Sequence, residues 1–499
     1  MEILKNSLWN ITALSFTLIV NFITIPFVIK SIGLSEFGNA GLFIALGSPL
    51  LIIGTVIGQS AIRIMSSKLA LGDKLGAKSA SVAAFYLCIL LSLIGAVVFV
   101  TFFPVIFHSI SSSSFDSQEF YIIAIAIYAQ QLVIVFQSIS IAHQNFKMIA
   151  AFTAGSAVIT VVAIFSMVFW YPTAVGYLYG VALGFIGTMF LWWYGVIKLY
   201  GSLRYHCKTE AHGELLRFGY WQFISQFAGS VANQIDRYVL ASHSSIAILG
   251  QFNVANRLQE AVFICAIKAT EVLFPYFGSI SQSDIRQQAN FYLSISWVAM
   301  TFYATVMVPL IALSEPILYF WVGEEVANGC SVLLCTLVIG GLIGAGTNVY
   351  ANFAMGTGRN RSLTWLTLMY SLLVIIITVT AISYFGPYAA GVGIVIASIV
   401  RIGLTFFILC KDSFKFVTAS QLISSNLMPL LVGLLVAGTW WSFSDIQITN
   451  WFFLILTYIL ISFLTCTSIV LTSLLTRFGR DLFQQVINQR QNIMGLKQL

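Results

Sequence analysis

The chain has 499 residues, 59% of them hydrophobic and only 8% charged, with a formal net charge of +7. Soluble domains carry roughly 25% charged residues, so an ordinary soluble protein is excluded. The basic residues fall in short loops between apolar runs, which argues against a nucleic-acid interface.

Apolar runs of about 20 residues, long enough to cross roughly 30 Å of hydrocarbon as helix, recur from end to end. They predict an all-α polytopic membrane protein of about fourteen transmembrane helices. The first six spans are 8–30, 38–62, 80–107, 119–142, 148–170 and 174–197. The next six are 217–240, 247–277, 291–318, 329–355, 363–385 and 389–410, and 421–441 and 450–475 complete the set. The first run has no small-residue cleavage site behind it and leads straight into the second, so it reads as a retained helix. Loops after even-numbered spans hold Arg63, Lys68, Lys147, Lys198, Arg286, Arg359, Arg361 and Lys411, whereas loops after odd-numbered spans hold only Lys30. The positive-inside rule then places both termini in the cytoplasm. The longest outward loop, 108–118, is eleven residues and leaves no room for a catalytic domain.

The chain also repeats itself. PTAVG (172–176) precedes span six and PYAAG (387–391) precedes span twelve, 215 residues apart. At the same offset FGNA (37–40) faces FNVA (252–255). A duplicated six-helix unit inserts twice the same way up, so the halves are expected to be two lobes related by a pseudo-twofold along the membrane normal. The predicted domains are a lobe at 1–210, a lobe at 211–415, and two extra helices with a basic tail at 416–499. The copies differ in charge. Asn21 in span one occupies the position of Asp236, and Leu42, Ile53, Val56 and Ile186 occupy those of Arg257, Lys268, Glu271 and Arg401.

Gln222, Gln226, Ser230, Asn233 and Arg237 follow steps of four, four, three and four along span seven, one face of a continuous helix, with Asp236 at its border. Span eight carries Asn253, Arg257, Glu260, Lys268 and Glu271, and span one Asn10, Thr17, Asn21 and Thr24. Faces this polar are expected to line a cavity and not to meet lipid. Arg257 and Arg401 fall near the bilayer middle at about 1.5 Å per residue, where a charge costs about 2.5–3.5 kcal/mol on insertion scales. Against a functional reading, Arg257 with Glu260 and Lys268 with Glu271 have the spacing of structural ion pairs. Arg401 has no acid within one turn.

Other motifs fall short. GDKLGAKS (72–79) lacks the spacing of a phosphate-binding loop. His206, Cys207 and His212 lack a fourth metal ligand, and the cysteines, mostly inside apolar runs, show no paired spacing. Neither a metal nor a cofactor is expected. GGLIGAGTN (340–348) reads as close helix packing or bending.

The stretches IPFVIKSIGLSEFGNAGLF (25–43), QIDRYVLASHSSIAILGQFNVANRL (234–258) and AMGTGRNR (354–361) resemble the O-antigen flippases. These form the polysaccharide-transporter branch of the multidrug, oligosaccharidyl-lipid and polysaccharide exporter superfamily. The likeness spans essentially the whole chain, though fourteen spans depart from the superfamily's twelve. It implies a non-enzymatic flippase of the bacterial inner membrane that moves an undecaprenyl-pyrophosphate-linked oligosaccharide from the cytoplasmic to the periplasmic leaflet. Polysaccharide polymerase and chain-length regulator are the implied protein partners. An excess of cations suits a pyrophosphate, so Arg257, Arg401, Arg237, Lys268, Asn233 and Asn21 are the expected substrate contacts. Asp236 and Glu271 are the expected ion-coupling carboxylates. The rival from the same fold is a multidrug cation antiporter. A rival from another class, a glycan-joining membrane enzyme, is disfavoured by the short outward loops.

Overall fold

The structure is a computed structural model. It describes residues 2–110, 117–201, 213, 215, 223–224, 226–227, 229–271, 284–357, 360–414, 417–442, 448, 450–475 and 480; of these, the side chains of 2–15, 70, 106–110, 117, 265–266, 268–271, 356, 360 and 412–413 lie outside the description. Among the described residues every regular element is a helix and none is a strand. A chain with so few polar side chains must satisfy its backbone within itself once in hydrocarbon, and the helix does this segment by segment.

The first seven helices are α1 (Glu2–Ile32), α2 (Leu34–Gly47), α3 (Ile52–Ala70), α4 (Lys74–Ile110), α5 (Ser117–Ala142), α6 (Phe146–Trp170) and α7 (Ala174–Tyr200). Then come α8 (Ile235–His243), α9 (Ile246–Glu271), α10 (Ile285–Ala312), α11 (Ser314–Val322) and α12 (Glu324–Gly356). The last four are α13 (Asn360–Phe385), α14 (Ala389–Ile408), α15 (Ala419–Ser442) and α16 (Trp451–Leu475). Ten helical stretches among the described residues are long and apolar enough to cross a membrane, with mean hydropathy between 1.7 and 2.7. One of them, Arg361–Lys411, holds two predicted spans, because only a short 3-10 turn at Gly386–Tyr388 parts α13 from α14. The protein is a multi-pass membrane protein.

Predicted spans two and nine are interrupted. Span two divides into α2 and α3 at a 3-10 turn, Ser48–Leu51, whose buried Pro49 has no N–H to offer a continuing helix. Span nine ends as α10 at Ala312, three residues after Pro309, and restarts as α11.

The chain forms two compact units, Met1–Gly250 and Gln251–Leu499, and the division falls inside α9. The core of the first unit gathers Ile57, Met65, Val82, Leu132, Phe136 and Trp192 from α3, α4, α5 and α7. Trp192 is fully buried and donates its indole N–H to Ser156 Oγ at 3.0 Å. At the α3–α5 crossing, a Cβ on Gly54 would stand 3.0 Å from the Gln131 backbone, so the glycine sets how closely the helices approach.

In the second unit α10 is the most enclosed helix and packs on α12, α15 and α16. The last two helices, which have no counterpart in the repeat, are fastened there. Trp297 donates to Ser473 Oγ at 3.0 Å, and the Tyr458 hydroxyl donates to the Val306 carbonyl at 2.6 Å.

The 215-residue offset reappears in the elements. α6 ends at Trp170 and α13 at Phe385; α7 begins at Ala174 and α14 at Ala389. In each unit the corresponding three helices pack alike, α5 and α6 on α7, α12 and α13 on α14. The two P-x-A-x-G turns keep their glycines for different neighbours. A side chain at Gly176 would strike the Tyr171 carbonyl, while one at Gly391 would strike the Thr336 side chain across the α12–α14 contact.

Candidate substrate site

Span seven departs furthest from expectation. Asn233 N–H still bonds the Gly229 carbonyl at 3.0 Å, but Gln234 N–H turns to Val231 at 3.1 Å, a three-residue step. The helix then restarts as α8, with Arg237 N–H on the Gln234 carbonyl at 3.1 Å. Gln234 therefore stands where a capping residue would, and its side-chain amide oxygen accepts from the Arg237 guanidinium. The break turns α8 away from the register of the residues before it. Asn233 is exposed while Arg237 is 7% exposed, so the polar stripe does not hold to one face. Gln222 lies outside the described residues, and Gln226 donates to Gln59 Oε1 at 3.0 Å.

Asp236, at 4% exposed, occupies the first turn of α8, where a carboxylate is favoured by the positive end of the helix dipole. The element that carries it packs on α2 and α4, and Tyr238 pins it by donating to the Ala45 carbonyl at 2.9 Å. The first unit thus holds Asp236 and Arg237 as a buried polar pair of neighbours on one short helix. Asn21, also in this unit, is exposed on α1.

A polar pocket of about 420 Å³ lies between α2 and the α8–α9 turn, lined by Ser35, Asn39, Ser244 and Ser245 with Ala241, Ile246 and Ala247. It includes none of the predicted cations.

Those cations belong to the second unit. Arg257 is exposed on α9, 3.9 Å from Glu260 Oε2, with the two side chains 48% and 42% exposed. Glu260 is held more firmly by Asn256, whose Nδ2 donates to Oε1 at 2.7 Å. A contact this long and open is a weak pair, which leaves most of the Arg257 guanidinium edge free to bind elsewhere. Lys268 and Glu271 are in the helical part of α9, but their side chains lie outside the description.

Arg401 is half-buried on α14. Its guanidinium carbon stands 4.8 Å from the centre of the Tyr370 ring on α13, and its Nε–H finds no hydrogen-bond partner among the described residues. Among the described residues the Arg401 charge is therefore held by an aromatic face and not by an acid. Groups of three or more His, Cys, Asp or Glu side chains able to hold a metal are absent among the described residues.

Sequence reasoning missed Tyr370, which lies on another helix, and Asn256, which the i, i+4 spacing to Glu260 could have flagged. It also missed Glu36 at the start of α2, whose carboxylate accepts from Ala174 N–H at 2.8 Å and so caps α7.

Residues 3–281, more than half of the chain, match the family described as polysaccharide biosynthesis protein. The chain belongs to that family. No curated protein sequence matches it significantly. Among solved structures, the lipid II flippase MurJ in an inward closed conformation aligns at 18% identity over 95% of this chain and 99% of that one, with a TM-score of 0.73. An inward-facing multidrug resistance MATE family transporter of the MOP superfamily aligns at 15% identity over 80% and 96%, with a TM-score of 0.67. An outward-facing conformation of a transporter described in the same terms gives 0.60 at 15% identity over 81% and 94%. At such identities the likeness is one of fold. This member of the polysaccharide biosynthesis family therefore has the all-helical fold of these membrane transporters.

Proposed function

We propose that the protein is a flippase that carries undecaprenyl-pyrophosphate-linked O-antigen repeat units from the cytoplasmic to the periplasmic leaflet of the bacterial inner membrane. The observation that carries this reading is Arg401, a cation midway along an apolar helix whose charge no acid neutralises among the described residues. Such a group asks for an anion, and a pyrophosphate headgroup supplies one. Membership of a polysaccharide biosynthesis family supports a sugar cargo on that anion.

Two lobes, 1–210 and 211–415, alternate access to the headgroup, and residues 416–499 add two helices and a basic tail. Arg257 and Arg401 hold the pyrophosphate; Arg237 and Lys268 add positive potential, and Asn233 and Asn21 bond sugar hydroxyls. Asp236 or Glu271 exchanges a proton or sodium ion during the cycle. Both termini lie in the cytoplasm, as the loop charges indicate, and the delivered units pass to polysaccharide polymerase and chain-length regulator.

The buried carboxylate Asp236 and the MATE-like fold favour a second reading, cation export by antiport. The deciding experiment measures the leaflet distribution of the lipid-linked unit in cells lacking the protein and any second flippase. Accumulation on the cytoplasmic side, cured by wild type but not by Arg257→Ala or Arg401→Ala at equal expression, supports the flippase. Normal delivery without the protein, together with new sensitivity to cationic dyes, supports the antiporter.

A further inference from the structure

Three buried polar groups on the packed helices α12 and α14 of the second unit lack a hydrogen-bond partner among the described residues. α12 and α14 run side by side in the same direction. A Cβ at Gly340 would stand 2.6 Å from Ile394, one at Gly344 3.4 Å from Ser398 Oγ, and one at Gly346 3.0 Å from Ile402. Ser398 is completely buried, yet its hydroxyl bonds nothing among the described residues. Asn348 lies one turn beyond Gly344 on α12, as Arg401 lies one turn beyond Ser398 on α14, and its Nδ2 is also buried without an acceptor among the described residues. Arg401 Nε, one turn beyond Ser398, is the third.

Buried polar groups are nearly always paired, and each exception needs an explanation. Here Arg401 Nε and Asn348 Nδ2 can only donate, and the Ser398 hydroxyl can donate to suit. One oxyanion would satisfy all three. Arg401 and Asn348 keep partial exposure, so the cluster is open on one side. The Tyr370 ring centre stands 4.8 Å from the guanidinium carbon, a cation–π contact that steadies the group without using its N–H donors.

We infer that Asn348, Ser398 and Arg401 form an intramembrane binding site for one phosphate group of a lipid, with Tyr370 as the residue that positions Arg401. Depth selects which lipid. Arg401 is twelve residues from the start of α14, about 18 Å at 1.5 Å per residue, in a hydrocarbon layer of roughly 30 Å. The phosphate of a resting phospholipid stays at the interface, so one reaches this depth only when its headgroup crosses. This assignment rests on the flippase reading and adds three residues to it.

The test is native mass spectrometry of the purified full-length protein with undecaprenyl pyrophosphate, undecaprenol or phosphatidylglycerol added as probe. Wild type retains undecaprenyl pyrophosphate over undecaprenol. Ser398→Ala, Asn348→Leu and Arg401→Met each lower that retention about tenfold, the usual worth of a hydrogen bond to a charged group, without changing undecaprenol binding. Tyr370→Phe keeps the ring and stays like wild type, whereas Tyr370→Leu falls with the others. Unchanged undecaprenol binding in each variant shows that it has folded. If retention depends on Arg257 and Arg401 but not on Ser398 or Asn348, the site is refuted and the flippase reading stands. If the three residues govern phosphatidylglycerol and not undecaprenyl pyrophosphate, the phosphate site stands but the carrier-lipid reading fails. Equal retention of undecaprenyl pyrophosphate and undecaprenol by wild type overturns both.

Discussion

Replacing Arg401 by Met is expected to make the protein more stable while removing its transport. The sign comes from the surroundings of the side chain. A charged donor left in the interior without an acceptor costs roughly 1–3 kcal/mol, and Arg401 Nε is such a donor among the described residues. Against this stands the contact with Tyr370, worth about 0.5–2 kcal/mol. Methionine fills a similar volume, so the balance predicts a gain of about 1 kcal/mol. Had Arg401 been locked to an acid, its removal would instead cost about 3–5 kcal/mol by stranding the partner. Equilibrium unfolding by dodecyl sulfate in mixed micelles measures the difference, and uptake of a lipid-linked probe by proteoliposomes measures the transport. A loss of 2 kcal/mol or more on substitution would refute the reasoning and make Arg401 a structural lock.

The α16 anchor is expected to show as a coupling of about 1 kcal/mol between Trp297→Phe and Ser473→Ala in a double-mutant cycle. Glu36→Gln removes the charge from the N-terminus of α7 and should cost about 0.5–2 kcal/mol in the same unfolding assay. Gly391→Ala drives a methyl into Thr336 and should destabilise by about 1–3 kcal/mol, whereas Gly403→Ala, with nothing within 4 Å, is neutral or stabilising. His143, just past α5, stacks on Tyr200 at 4.2 Å, and burial lowers its pKa from the ordinary 6.5. The unfolded chain then binds more protons, so stability should fall as pH drops below about 6.5. His143→Phe, which keeps the stack, should flatten that dependence.

The spans were legible because hydrocarbon leaves a chain few options, and long apolar runs record that constraint directly. The repeat was legible for the same reason, since both P-x-A-x-G turns mark helix starts at Ala174 and Ala389. The break at Asn233 and Gln234 was not. Neither residue forbids a helix, and it is the docking of α8, with Tyr238 on Ala45, that accompanies the turn. Arg257 with Glu260 could be foreseen from spacing, but not that Asn256 would hold the carboxylate closer. Tyr370 could not be foreseen, because nothing local ties it to a residue one helix away. Asn348 was hidden in a glycine-rich stretch read as packing, and that packing is what sets its helix against α14.

The two bonds that hold α16 are fifteen residues apart on that helix, at Tyr458 and Ser473, a separation of about 22 Å along its axis. A rod pinned at two such points cannot pivot on its partner. A spin label or fluorophore at Phe463, which is 64% exposed, would therefore report the tilt of the enclosed α10 without disturbing either bond.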